Sequence, residues 1–178
     1  MTDVTVTFST AVVNVTATNT STVTTSGAAT AEVSVSPDVV WPAPAAFTVA
    51  GGTLGTQPTF SGAPLFSGSY IKLGSLVHFE IQVEFDNITS FGSGQYYLDL
   101  PFTPAYNYQF AAGCLHDAST GRSYPLFGHV YAGNSRMLLL SIDAQGNTAF
   151  NIAFEQGAPI TLTTADNFHV SGDYITSE

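Results

Sequence analysis

Leu76-Val77-His78-Phe79-Glu80-Ile81-Gln82-Val83-Glu84-Phe85-Asp86 puts Val77, Phe79, Ile81, Val83 and Phe85 on one parity and His78, Glu80, Gln82, Glu84 and Asp86 on the other. Successive side chains of an extended chain point to opposite faces, so this alternation predicts a strand with one face in a core and one in solvent. Toward the C terminus, Gly92-Ser93-Gly94 supplies a turn. Further apolar stretches over 96–100, 106–112, 126–131, 136–142, 150–154, 160–163 and 168–175, separated by Gly, Pro, Asn and Asp, predict short strands. No segment carries a sustained 3.6-residue apolar period, so helix is expected to be negligible. Strands and turns of this kind predict an all-β protein whose C-terminal module, residues 51–178, is an antiparallel β-sandwich or jelly roll. Met137-Leu138-Leu139-Leu140 is apolar on both parities, which fits a strand covered on one side by its own domain and on the other by a neighbour.

Toward the N terminus, Gly55, Pro58, Gly62 and Pro64 interrupt Leu54, Phe60, Leu65 and Phe66, and 53–68 reads as an extended ribbon laid over a surface. Pro37, Trp41-Pro42-Ala43-Pro44 and Gly51-Gly52 punctuate the chain further, which places a domain boundary near residue 50. Residues 1–50 form a Thr/Val-rich arm in which Thr5-Val6-Thr7-Phe8, Val13-Asn14-Val15-Thr16 and Glu32-Val33-Ser34-Val35 alternate as strands do. The arm has few large side chains, so Val4, Val6, Val13, Val15, Val33 and Val35 need an opposing layer from elsewhere. They are candidate contacts for attachment or oligomerisation.

Charged residues make up 9% of the 178, only Lys72, Arg122 and Arg136 are basic, and the formal net charge is −10. That balance repels phosphate backbones and anionic lipids, so neither nucleic acid nor a membrane surface is an expected partner. No window reaches the roughly 18 consecutive apolar residues of a membrane span. Met1-Thr2-Asp3 lacks the basic start and apolar run of a signal peptide, and synthesis in a cytoplasm is expected. Cys114 is the only cysteine, which rules out an intrachain disulfide. A small free thiol in Ala112-Gly113-Cys114-Leu115 is expected in the core rather than acting as a nucleophile with His116.

No nucleophile elbow, zinc-protease helix, phosphate loop or dinucleotide fingerprint occurs. His78, His116, His129 and His169 belong to no motif, and a non-enzymatic protein without catalytic, cofactor or metal residues is expected. His116-Asp117 would point to opposite faces of a strand, and Asp166-Asn167 reads as a turn ahead of His169. The aromatic residues are more informative. Trp41, Tyr96, Tyr97, Tyr106 and Tyr108, with Tyr124 and Tyr131 beside them, are candidates for stacking on a sugar or anchoring an interface.

The block from Gly52-Thr53-Leu54-Gly55-Thr56-Gln57-Pro58-Thr59-Phe60 through Ala63-Pro64-Leu65-Phe66-Ser67-Gly68-Ser69-Tyr70 to Lys72-Leu73-Gly74-Ser75-Leu76-Val77-His78-Phe79 resembles a module of bacteriophage minor tail and fibre-like proteins. Gly94-Gln95-Tyr96-Tyr97-Leu98-Asp99-Leu100-Pro101-Phe102 is similar to that module's next strand, and the resemblance spans about residues 51 to 178. It implies a structural role at the virion surface, on tail, fibre or head, as a symmetric oligomer, with a homotrimer and other phage structural proteins as partners. It carries over no catalytic residue. The arm is short for a tail protein, which raises two alternatives: a capsid decoration (cement) protein, and a module binding a host-surface glycan.

Overall fold

The computed structural model describes residues 42–145 and 148–177. The arm's Val4, Val6, Val13, Val15, Val33 and Val35, and Trp41, lie outside the described residues. The described chain has no helix and twelve strands: β1 (Ala45–Phe47), β2 (Gly51–Thr53), β3 (Thr59–Phe60), β4 (Leu65–Leu73), β5 (Leu76–Glu84), β6 (Ile88–Ser90), β7 (Tyr96–Asp99), β8 (Tyr108–Asp117), β9 (Arg122–Val130), β10 (Arg136–Gln145), β11 (Thr148–Ala153) and β12 (Asn167–Ile175). Ten of them form one antiparallel sheet in the order β1-β4-β5-β12-β8-β9-β10-β7-β2, with β11 on the second half of β10; β3 and β6 form a separate ladder.

The alternating stretch is β5, and Val77, Phe79, Ile81, Val83 and Phe85 are all buried. It forms a full-length hairpin with β4, closed by Gly74-Ser75 between the paired Leu73 and Leu76. Gly74 has φ +60, the sign that a type II′ hairpin turn requires at its first central position. The ribbon expected over 53–68 is therefore corrected at its end, because Leu65 to Gly68 are already in the β4–β5 ladder. Ser67 and Gly68 occupy strand positions there without showing apolar alternation.

The sheet curls until its two ends are joined by one short piece of chain. Its terminal strands, β1 and β2, are consecutive, and the linking Val49 is buried while the Ala50 carbonyl accepts the Asp99 amide at 2.7 Å. Val49 and Phe47 occupy the space that a side chain at Gly68 would need, which lets β1 lie close against β4. Both β1 and Val49 precede residue 50, so the sheet takes in chain from the N-terminal side of the boundary read from the sequence. Inside the curl, the Phe85 ring meets Phe91 (5.3 Å), Phe168 (5.8 Å) and Tyr96 (6.4 Å), which brings the β5 end of the sheet against β7.

The strand expected at 160–163 is absent. The Gln156 side chain takes up both backbone groups of Leu162, accepting from its N–H at 3.1 Å and donating to its carbonyl at 3.3 Å. A side-chain amide thus replaces a ladder partner, and Leu162 enters the core from a loop. The face assignment of β5 is tested by substitution. Ile81→Ala should cost about 2–5 kcal/mol in urea unfolding, whereas Gln82→Asp on the exposed parity should stay within about 0.5 kcal/mol. The reverse order would mean that the sheet faces are inverted.

Candidate functional site

The tyrosines singled out from the sequence separate in the fold. Tyr96 is corrected to a core residue: it is 5% exposed, its hydroxyl donates to the Phe91 carbonyl at 2.6 Å, and burial pushes that hydroxyl's pKa above its ordinary value. Tyr97 follows it on the opposite face of β7, half-buried, with the Arg136 guanidinium 4.3 Å above its ring. Tyr106 is 59% exposed in the loop before β8, and Tyr108 opens β8 opposite Val130. Tyr124 packs against the core, and Tyr131 stacks on His129 with ring centroids 4.5 Å apart.

Cys114 is exposed on the outer face of β8, which overturns the expectation of a buried thiol. A register shift in the β8–β9 ladder between Gln109 and Ala111 precedes the run in which Ala111, Leu115 and Asp117 point inward, so Cys114 and His116 point outward. Across the ladder Cys114 faces His169, and His116 faces Asn167. Among the described residues no three His, Cys, Asp or Glu side chains are grouped to hold a metal ion.

Asp117 and Asp166 are buried and build turns. Asp117 accepts from the Ser119 amide (2.9 Å) and hydroxyl (2.6 Å) and from the Thr120 hydroxyl (2.7 Å), closing the β8–β9 hairpin. Asp166 accepts from the Ala118 amide at 2.9 Å and the Thr163 amide at 2.7 Å, tying the turn before β12 to that hairpin. Hydrogen bonds from Ser119 and then Thr120 hold the Asp117 pKa below the ordinary carboxylate range. A depressed native pKa contributes stability above the unfolded value of about 3.9 and loses it as pH falls through the native one. Thermal melts of wild type and Asp117→Asn should therefore differ most near pH 7 and converge below about pH 4. A gap that does not change with pH would contradict this role.

Two outer faces differ in chemistry. On β4, β5 and β12, the residues Ser67, Ser69, Glu80, Gln82 and His169 line an open trough of about 190 Å³, near a His78–Asp173 side-chain hydrogen bond of 2.9 Å. On β9, β10 and β7, the ladders place Phe127 beside Leu140, and His129 beside Leu138 and then Tyr97. These are half-buried side chains on the face opposite the core residues Leu126, Val130, Met137 and Leu139. Arg136 and Asp99 pair at its edge, Nε to Oδ1 3.8 Å, and desolvation raises the Asp99 pKa against the lowering effect of Arg136. The doubly apolar run at Met137 to Leu140 and the candidate aromatic Tyr97 were the sequence signals for this face. Phe127 was hidden, and so was the pairing of Tyr97 with Leu138, because cross-strand neighbours depend on the register.

Comparison of the chain with protein-family models, with curated proteins and with solved structures finds no match to any of the three.

Proposed function

We propose that this chain is a non-enzymatic structural component of a bacteriophage particle, exposed on tail, fibre or head surface and assembled as a symmetric oligomer, a homotrimer by resemblance. In this reading residues 51–178 are the core of a jelly-roll-like sandwich, whose opposed layers meet where Phe85 and Tyr96 pack across the curl. The observation that carries the assembly reading is the apolar outer face of β9, β10 and β7. Phe127, Leu138 and Leu140 are left half-buried there by their own sheet, and a neighbouring subunit would cover the rest of their apolar surface. The low charge and the resemblance of residues 51–178 to tail and fibre modules support the virion setting. Within the particle the chain contacts other phage structural proteins, and a place in the head lattice as a decoration protein is the variant of this reading.

One observation favours a second reading, adhesion to a host-surface glycan. The trough on β4, β5 and β12 offers hydroxyls, an amide, a carboxylate and an imidazole, a mixed donor and acceptor set suited to a polyhydroxylated neutral ligand. A glycan array of the full chain separates the two readings. Mass spectrometry of density-purified particles, produced from the genome that encodes the chain, tests the first. Its peptides should appear at a stoichiometry matching tens of copies or fewer in an appendage, or hundreds in a head lattice; their absence refutes the reading.

A further inference from the structure

We infer that the loops 104–107 and 131–134, at one end of the β8–β9 ladder, bind a neutral saccharide against two tyrosine rings. The inference rests on the second reading above for the class of ligand and differs from it in place, since none of these residues lines the trough.

One ladder places both tyrosines. Tyr108 pairs with Val130, so Tyr106 and Tyr131 leave the strands at the same end, and both stand exposed. Hydrogen bonds then tie the two loops together: the Gly133 N–H donates to the Pro104 carbonyl at 3.0 Å, and the Ala132 N–H donates to Asn107 Oδ1 at 2.7 Å. The Ala105 N–H donates to the Ile175 carbonyl at 2.8 Å, so Tyr106 sits between two anchored residues. Tyr131 is backed by the His129 imidazole, ring centroids 4.5 Å apart, with its hydroxyl 3.4 Å from Nδ1. Aromatic side chains on loops fixed before a ligand arrives lose little freedom in binding it.

Composition decides the ligand. Residues 101–109 and 128–135 contain no Asp, Glu, Lys or Arg, in a chain of net charge −10. Arg136, the next residue, lies over the Tyr97 ring. A phosphorylated or carboxylated ligand therefore finds no ion partner on these loops and is repelled by the chain as a whole. Tyrosine rings beside the amides of Asn107 and Asn134 match a molecule with an apolar C–H face and a rim of hydroxyls, which is the chemistry of a neutral pyranose. Both amides are fixed through oxygen, Asn107 by the Ala132 N–H and Asn134 by the Arg136 N–H at 3.0 Å, and their NH2 groups are the donors they offer.

The full chain is screened on an array of neutral, sialylated and sulfated saccharides, and the strongest neutral binder is titrated by calorimetry. Wild type is compared with Tyr106→Ala, Tyr131→Ala, Tyr106→Phe and, in the trough, Gln82→Ala, with melting temperature as the check on folding. Wild type should bind neutral saccharides. Each alanine variant should weaken binding about tenfold, Tyr106→Phe by less than about threefold because the ring remains, and Gln82→Ala not at all. Wild-type affinity in both alanine variants overturns the site and leaves adhesion standing, at the trough if Gln82→Ala loses it. Preference for charged glycans overturns the neutral class. A chain that binds no saccharide overturns the inference and the adhesion reading together. If Tyr131→Ala lowers the melting temperature through its loss of the His129 contact, folded Tyr106→Ala decides: unchanged binding overturns the inference.

Discussion

A fragment of residues 42–178 should melt cooperatively, and one of residues 51–178 should lose much of that stability. The shorter fragment lacks β1 and Val49, the residues that join the sheet's two ends. Val49 is 7% exposed, and Phe47 packs edge-on against Tyr70 at 6.1 Å. Burial of one such aliphatic side chain contributes about 1.5–3 kcal/mol, with a partly buried Phe adding a similar amount. The Asp99 amide also loses the Ala50 carbonyl, about another 1 kcal/mol, and the edge of β4 at Gly68 to Tyr70 is stripped of its partner. A sum of about 4–7 kcal/mol is comparable with the whole stability of many domains, about 5–15 kcal/mol. Urea unfolding of both fragments, followed by circular dichroism, checks this; equal midpoints would mean that the sheet closes without β1.

The second large effect is at Phe85. Its ring is 2% exposed, just past the end of β5, where it meets Phe91, Tyr96 and Phe168, and the last two rings in turn pack on Phe154. Phe85→Ala removes the side chain that fills the space between β5 and β7. The cavity there has little room to collapse, because its other walls are rings held by strands, and the loss should be about 3–5 kcal/mol. Leu54→Ala is the matched control: Leu54 is 57% exposed and should change the unfolding midpoint by less than about 0.5 kcal/mol. Comparable losses at the two sites would show that the curl does not press Phe85 against the far strands.

The legible parts of the fold were those where polarity alternates. β5 was read from its residues because one face is wholly apolar and the other wholly polar, β12 followed from a weaker version of the same signal, and β10 was read instead from a run apolar on both parities. β4 was hidden, since Ser67, Gly68 and Ser69 sit where alternation would show, and its pairing with β5 rather than its own composition makes it a strand. β8 and β9 were read short because Asp117, Ser119 and Thr120 look like loop residues. They are, but the hydrogen bonds of Asp117 tighten that loop into a hairpin whose strands run up to it. The stretch 160–163 misled in the opposite direction, its apolar character serving a loop held by Gln156. Candidate surface residues fared by parity: Tyr96 and Cys114 exchanged places with expectation, since each is decided by which neighbour the core claims. The outer face of β9, β10 and β7 lay beyond sequence reasoning except at Tyr97, Leu138 and Leu140, because Phe127 joins them only through register.

The claim on which the rest depends is that this body is a repeated subunit at a particle surface. A density map of the intact particle made by the encoding genome tests it most directly. The account predicts a curled antiparallel sheet matching residues 42–145 and 148–177, present in symmetry-related copies on the exterior. A particle whose exterior density is fully accounted for by other chains, with no place for this sheet, would contradict it.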